Sequence, residues 1–522
     1  MQFIPKPLLK KLYNRSSLRN TASGVRFSVK NRLAPAKLKR VRPLVLNGES
    51  VPVDQVAVAV DGGEPVRLDR LIGSSPVDFP LGTLLTFDVS IEPLEAVEHS
   101  LELAFEVEPF GMLEFSVSDC PRSADRVPGA VPRDAEDDYS DTIVQARRDF
   151  LHDRTGVELA HVSSCSFNPR ETQGNIEHFT GVAQVPIGIA GPLLVDGEHA
   201  QGEFYVPLAT TEGTLVASYN RGMKVIHASG GVRCAVVGDN MQRAPVFIFD
   251  DARSGRRFAD WIVEHLDEIK SVCSESDPFV SLKYVDYYLA SKFCFTRFNF
   301  TTGDAAGMNM VGKATFAACN WILQNFQGAE IRDFFLEANF ATDKKASMIN
   351  TMRTRGKRVT AECLIKRDVL RDIMDADTEQ LYKHGKVANV GSMLSGANNN
   401  GCHAANAITA MFIATGQDVA NVAESSTGIL YGDLTEDKDL YLSITLPSLI
   451  VATVGGGTGL PTQHESLRIM DCAGIGKVRK LAEIVAGTVL AGEISLAAAI
   501  SSLDWVSSHD QLGRNDPTSV KR

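Results

Sequence analysis

Several things are missing from this 522-residue sequence, and each absence removes a class of function. None of its nine cysteines stands in a CxxC pair; Cys120, Cys165, Cys234, Cys273, Cys294, Cys319, Cys363, Cys402 and Cys472 are scattered and odd in number. That pattern argues against a disulfide framework or a metal site and reads as free thiols in a reducing compartment. No basic stripe interleaves with aromatics, and a net charge of −11 speaks against nucleic acid as a partner. No apolar run reads as a membrane span. Leu481–Ile500 comes nearest, but Glu483 and Glu493 interrupt it, and its Ala and Gly content suggests a buried helix. A Walker A loop and a GxGxxG turn are both absent, so no Rossmann domain is expected. The first 48 residues hold no Asp or Glu, as in a transit peptide. Yet Val25, Phe27 and Val29 alternate there with Arg26, Ser28 and Lys30, which is strand periodicity. A basic face on a folded β-element of a cytoplasmic protein is the expectation.

What is present divides the chain. At this length two or three domains are the prior. Residues 1–125 are strand-like and helix-poor: Val56–Val60, Thr83–Ile91 and Leu101–Val107 are separated by Gly, Pro and Asp turns, which predicts an antiparallel sandwich. Residues 126–140, rich in Pro, Asp and Glu, read as a linker. From 141 to 522 helical spacing takes over, with long helices predicted at Gly213–Ala228, Ala305–Phe326, Cys402–Thr415 and Lys480–Ser502. Gly230-Gly231 and Gly303 bracket a possible small inserted α/β unit, and no internal repeat is found.

A few residues in the second part suit chemistry. Glu212 is the only charge in Phe204–Asn220, so it should find a partner or take up a proton, the state that proton transfer needs. In Ala341–Ala346, a lysine of the run Asp343-Lys344-Lys345 could stabilise an oxyanion while the aspartate holds it, although a solvated charge run is the plainer reading. Asp418 follows a small apolar helix, unfavourably for the dipole, or is simply a turn aspartate. His509, near the C-terminus, suits proton delivery if its tail folds over a site. The Gly455–Gly459 turn lets backbone approach a phosphate or ribose, and Asp304–Asn309 opens a helix, with Asp304 as an N-cap candidate.

Together these segments resemble 3-hydroxy-3-methylglutaryl-coenzyme A (HMG-CoA) reductase. The resemblance runs from about Arg147 to His509 through NIEHFTGVAQVPIGIAGPL (175–193), PLATTEGTLVASYNRG (207–222), TGDAAGMNM (302–310), TDKK (342–345), CHAAN (402–406), GQD (416–418), TVGGGTGL (453–460) and AGEISLAAA (491–499). The β-rich first 120 residues lie outside it, and the membrane anchor of animal and fungal members is absent. The resemblance implies a two-step reduction of HMG-CoA to mevalonate and coenzyme A with two NADPH or NADH. It implies an α+β multidomain fold, a ferredoxin-like cofactor unit inserted at about 230–318, and a homodimer with shared sites and no bound metal. By matching, Lys344 stabilises the hemithioacetal oxyanion, Glu212 protonates the reduced aldehyde, Asp418 lies between them, and His509 protonates the departing thiolate. Arg243, Asp343, Lys345, His403 and Asn406 bind the acyl end, while Asp304, Gly307, Met308, Asn309, Gly455, Gly456 and Gly457 line the cofactor.

The sequence departs from the family pattern at four places. Glu337-Ala338-Asn339 replaces Ser-Gly-Asn before the lysine motif, placing an extra negative charge near the acyl site. Lys386 stands one residue out of register in KVANVGS, and the next run is Ser392-Met-Leu-Ser-Gly-Ala397. Ser276-Asp277-Pro278-Phe279 replaces a Ser-Arg-Phe-like segment that meets the 2′-phosphate; Asp277 would repel a phosphate and accept from a free 2′-hydroxyl, which favours NADH, although Lys283 is an available cation. The competing readings are a paralogue that reduces a different 3-hydroxyacyl-CoA and a non-catalytic acyl-CoA-binding protein. The second is opposed by the presence of all four chemical groups.

Overall fold

The computed structural model describes residues 9–33, 35–71, 76–121, 130–134 and 136–502. The N-terminal strands form two antiparallel sheets. One runs in the order Arg19–Thr21, Gly24–Lys30, Leu84–Val89, Val56–Val60, Val66–Arg67. The other is centred on His99–Glu108, flanked by Ala36–Val41, Val45–Leu46 and Gly111–Asp119. The alternation in Gly24–Lys30 does what its period requires: Val25, Phe27 and Val29 are buried, and Arg26 pairs across the strand with Asp88. Phe27 stacks on Phe87 at 4.8 Å, and Phe87 meets Phe105 of the opposite sheet at 6.3 Å, so an aromatic ladder joins the two layers.

Beyond residue 186 a ten-stranded sheet organises the chain. Its strand Val232–Arg243 belongs to two neighbourhoods. The first residues pair with Gly356–Ile365 and Ile187–Gly197, the last three with Phe293–Thr301. That second neighbourhood is a unit of β-α-β-β-α-β order: Val246–Ile248, helices Ala252–Glu264 and Leu266–Ser276, the hairpin Ser281–Ala290 and Phe293–Thr301, helix Met308–Asn325, and Asp333–Phe335. Its last strand pairs with its first and lies past residue 318, the boundary that the resemblance implied. The predicted helices are present, at Leu215–Ala228, Met308–Asn325, Ala404–Thr415 and Val478–Ser501, the last beginning two residues earlier than expected.

Val478–Ser501 is the one helix among the described residues long and apolar enough to cross a membrane, and 78% of its apolar window is buried inside the protein. The two glutamates that interrupt its apolar run are anchors. Glu483 accepts the backbone N–H groups of Glu198, His199 and Ala200 at 3.2, 2.9 and 2.7 Å. Ten residues on, Glu493 accepts those of Cys402 and His403 at 2.7 and 2.8 Å. Burial raises both carboxyls, and the backbone donors oppose the rise. Helix Leu215–Ala228 crosses this rod in backbone contact: a Cβ on Gly222 would lie 1.9 Å from the Ala491 oxygen.

Two sequence expectations change. Of the expected linker, the described residues Pro132 and Asp138 are tied down, because the fully buried Arg147 donates to Pro132 O, Asp138 O and Phe179 O at 2.9, 2.9 and 3.0 Å. The N-terminal sandwich, moreover, docks on the inserted unit. Lys11 donates to Phe334 O at 3.0 Å and lies over the rings of Phe334 and Phe335, Asn320 donates to Leu33 O, and one apolar core runs through both parts.

Candidate active site

The TDKK loop is held in an uncommon shape: Asn339, Thr342 and Lys344 all have left-handed φ, at 61, 57 and 59°. Its ammonium group lies 3.0 Å from Asp418 Oδ2, with both side chains partly open to solvent. Asp418 is set by its own segment. Gly416 ends helix Ala404–Thr415 with φ 72°, Gln417 is bonded both ways to the backbone of Ala452, and Asp418 caps the next turn by accepting Ala420 N–H. Asp343 does not bond the neighbouring lysine. Its carboxylate turns to Arg355 at 2.6 Å, while Lys345 donates back to Asp343 O at 3.0 Å.

Asp418 also lines a cavity of about 620 Å³ with Gly307, Met308, Asn309 and the Gly455–Gly457 turn. These glycines are required by geometry. A Cβ on Gly307 would meet Thr302 at 2.3 Å, and one on Gly457 would meet Gly416 O at 2.6 Å. Free N–H groups at the start of helix Met308–Asn325 and the exposed backbone of the glycine turn make a wall suited to a dinucleotide's phosphates. Asp304 does not line this cavity, and Gly307, not Asp304, is the N-cap of that helix. The Asp304 carboxylate accepts Gly476 and Val478 N–H at 2.8 and 3.1 Å and its carbonyl accepts Thr453 N–H, so it props the glycine turn from behind. A second cavity, of about 670 Å³, shares Asn175, Ile413, Leu460 and Gln463 with the first; residue-by-residue reading did not find it.

Glu212 lies in the loop between strand Gln201–Ala209 and helix Leu215–Ala228. In the single chain its carboxylate is exposed, not desolvated as expected. Its partner is Asn406, whose amide reaches both oxygens at 3.3 and 3.2 Å. Beside it His403 is buried, stacked on Tyr219 at 4.7 Å and 3.4 Å from Ser218 Oγ. Burial pushes its imidazole down to about 4, so it meets a ligand as a neutral hydrogen-bonding ring. Among the described residues no hydrogen bond or ion pair joins the Glu212–Asn406 pair to the Lys344–Asp418 pair, so Asp418 bridges to Lys344 alone. Arg243 donates to Met308 O at 3.1 Å and lies 3.6 Å from Glu337. Glu337 itself accepts Phe340 N–H at 3.1 Å, fastening the turn that leads into TDKK. Asp277 ends helix Leu266–Ser276, accepts Phe279 N–H at 3.0 Å and does not line the 620 Å³ cavity. His509 lies outside the described residues.

Sequence reasoning missed Glu424 and Arg355. Both are fully buried and lie 3.0 Å apart behind the lysine loop. Burial pushes Glu424 up to about 7, with Arg355 and the Lys344 N–H pulling the other way. The signal was available: Glu424 is the only charge in Val419–Gly432, the same kind of oddity that singled out Glu212.

A family model described as hydroxymethylglutaryl-coenzyme A reductase matches residues 143–514. A second, described as the hydroxymethylglutaryl-CoA reductase N-terminal domain, matches residues 8–121, so the sandwich is part of the resemblance after all. The 3-hydroxy-3-methylglutaryl-coenzyme A reductase of Aeropyrum pernix is 42% identical over 375 residues, covering 70% of this chain and 89% of its own length. That of Pyrococcus horikoshii is 42% identical over 378 residues, covering 71% and 91%. Among solved structures, the class II reductase of Streptococcus pneumoniae bound to NADPH superposes with TM-score 0.52 at 20% identity over 68% of this chain and 96% of its own, a likeness of fold.

Proposed function

The chain belongs to the hydroxymethylglutaryl-coenzyme A reductase family, and on that premise we propose how its own residues serve the reaction. It reduces HMG-CoA to mevalonate and coenzyme A. The observation that carries the assignment of roles is the Lys344–Asp418 pair, 3.0 Å apart, with Asp418 on the wall of the glycine-lined cavity. Two reduced nicotinamides, bound one after the other in that cavity, would each supply one hydride, the first for the thioester and the second for the aldehyde. Lys344 faces the thioester oxygen and stabilises the negative charge that develops there, an effect worth roughly 3–4 kcal/mol for one well-placed donor. Asp418 fixes the ammonium by accepting from it. The hemithioacetal then releases coenzyme A thiolate, which takes a proton from His509. Glu212 gives a proton to the alkoxide formed when the aldehyde is reduced.

Glu212 and Lys344 belong to separate clusters of one chain, which supports a site completed by a second copy. Helix Thr378–Ser395 exposes Val387, Val390, Met393 and Leu394, with Met348 and Met352 exposed elsewhere, as an apolar face for that copy. The protein is read as a cytoplasmic homo-oligomer that prefers NADH. The preference rests on Lys283, the cation available for a 2′-phosphate, being engaged with Asp239 O and Asn240 at 3.3 and 2.8 Å. A kcat/KM ratio tenfold or more in favour of NADPH overturns that preference. Glu337, which suggested another acyl-CoA, is accounted for as a loop fastener and gives that alternative no support.

The test of the assignment is Glu212→Gln. We expect it to abolish HMG-CoA-dependent oxidation of the nicotinamide while HMG-CoA still binds by calorimetry. Undiminished turnover removes Glu212 from the reaction.

A further inference from the structure

Lys344 is held at both ends by one short stretch of chain. Asp418 accepts from its ammonium group at 3.0 Å, and Glu424, six residues on, accepts from its backbone N–H at 3.0 Å. The second contact is made from inside the protein. Glu424 has no solvent-exposed surface, and its other oxygen accepts the Asn350 amide at 3.3 Å and lies 3.0 Å from Arg355 Nε. Arg355, equally buried, reaches Asp343 at 2.6 Å and donates to Gln242 O at 3.2 Å. The buried pair therefore grips two consecutive residues of the loop in different ways: Asp343 through its side chain, Lys344 through its main chain.

That grip has work to do. With φ 59°, Lys344 holds a backbone shape that a long side chain rarely adopts, and such shapes persist only where surrounding structure fixes them. Release of its N–H would let the peptide swing and carry the ammonium off Asp418, although neither Glu424 nor Arg355 exposes any side-chain surface to a substrate. We infer that Glu424 and Arg355 are positioning residues for Lys344, and that the charge on Glu424 sets how much of the enzyme has its lysine in the working place. This inference rests on the role given above to Lys344.

The inference carries a pH signature. The charged groups facing Glu424 are Arg355, Asp343 and, through Asn350, the buried Arg297, whose guanidinium donates to Asn350 at 2.6 Å. Burial places the titration of Glu424 at about 7, inside the working range of an enzyme. Below that pH the carboxyl is neutral, Arg355 loses one of its two acidic partners, and the loop is held less firmly. Turnover therefore falls as pH drops through about 7, with cofactor binding unchanged because neither Glu424 nor Arg355 lines the cavity.

The experiment is a pair of variants in the full chain, with wild-type turnover measured first. Absence of HMG-CoA-dependent oxidation in the wild type removes the reaction, and the inference with it. Glu424→Gln keeps the side-chain volume and an acceptor for Lys344 N–H but cannot ionise. We expect kcat to fall about tenfold, the ionisation near neutrality to vanish from the kcat profile, and the nicotinamide KM to stay within twofold. Arg355→Lys keeps a cation that stabilises the Glu424 carboxylate less well, so the same ionisation should move to higher pH. A Glu424→Gln enzyme with wild-type kcat and an unchanged profile overturns the inference. If that variant fails to fold, an Arg355→Lys profile identical to wild type overturns it as well.

Discussion

Gly416 offers a direct measurement of how closely the end of one helix supports the cofactor cavity. It caps helix Ala404–Thr415 with φ 72°, and a Cβ there would lie 2.2 Å from Gly457 O and 2.4 Å from Gly457 C. Gly416→Ala therefore meets two penalties. A left-handed alanine costs about 1–2 kcal/mol, and relieving contact with backbone rather than a flexible side chain costs about 1–3 kcal/mol. Together the change is worth roughly 2–5 kcal/mol. Part of it appears as lost stability, and part is relieved by pushing the Gly455–Gly457 turn and Asp418 out of register. Calorimetric melting and fluorescence titration with the nicotinamide read the two parts separately. We expect a melting temperature lower by several degrees and a cofactor affinity weaker by tenfold or more. Gly385, which has nothing within 4 Å of its would-be Cβ and sits mid-helix, is the control. Gly385→Ala should be neutral or stabilising by about 0.5–1 kcal/mol. A Gly416→Ala protein that matches wild type in both melting and affinity would refute the contact between the two backbones.

Three further outcomes are expected. Asp418→Asn breaks a pair whose partners are 44% and 39% exposed, so stability should change by no more than about 1 kcal/mol while kcat drops a hundredfold or more. Equal losses in both would mark Asp418 as structural. Glu337→Ser removes the acceptor for Phe340 N–H and the acid beside Arg243, and should cost about 1–2 kcal/mol in urea unfolding, with Glu337→Gln recovering most of it. Stability should also depend on pH in two opposed windows. His403 falls from 6.5 to about 4 on folding, so its contribution is full above 6.5 and is lost as pH falls through about 4, on the order of 3 kcal/mol at full strength. Glu424 rises from 4.5 to about 7, so its contribution is present below 4.5 and lost as pH rises through about 7. The two windows overlap, so His403→Gln should remove the opposing slope and leave stability falling as pH rises from 4.5 through about 7.

Local pattern carried much of this structure. Period-two alternation placed Val25, Phe27 and Val29 on one face, and the small apolar residues marked the Ala404–Thr415 helix before any contact was known. The reaction followed from the family resemblance that the long motifs carry. What remained hidden depends on residues distant in sequence. Nothing near Arg355 in the chain says that its partner is Glu424, and nothing in the GDAAG segment says that Asp304 will accept N–H groups from residues 476 and 478. Glu212 shows the converse error. A neutral neighbourhood in sequence was read as a dry one in space, whereas the loop projects the carboxylate outward and leaves its cover to other surfaces.

The contact between Lys11 and Phe334 spans 323 positions of sequence. During synthesis at roughly 5–20 residues per second, the sandwich emerges first and waits on the order of 10–45 seconds for the strand on which it rests. Through that interval its docking face is bare. The same dependence works in reverse for anyone trimming the protein. A cut at the apparent domain boundary would not yield a tidy catalytic remainder, because it would strip the cover from Phe334, Phe335 and the Asn320 side of the inserted unit. Sandwich and inserted unit are best handled as one folding partnership, two stretches of chain that each finish the other's surface.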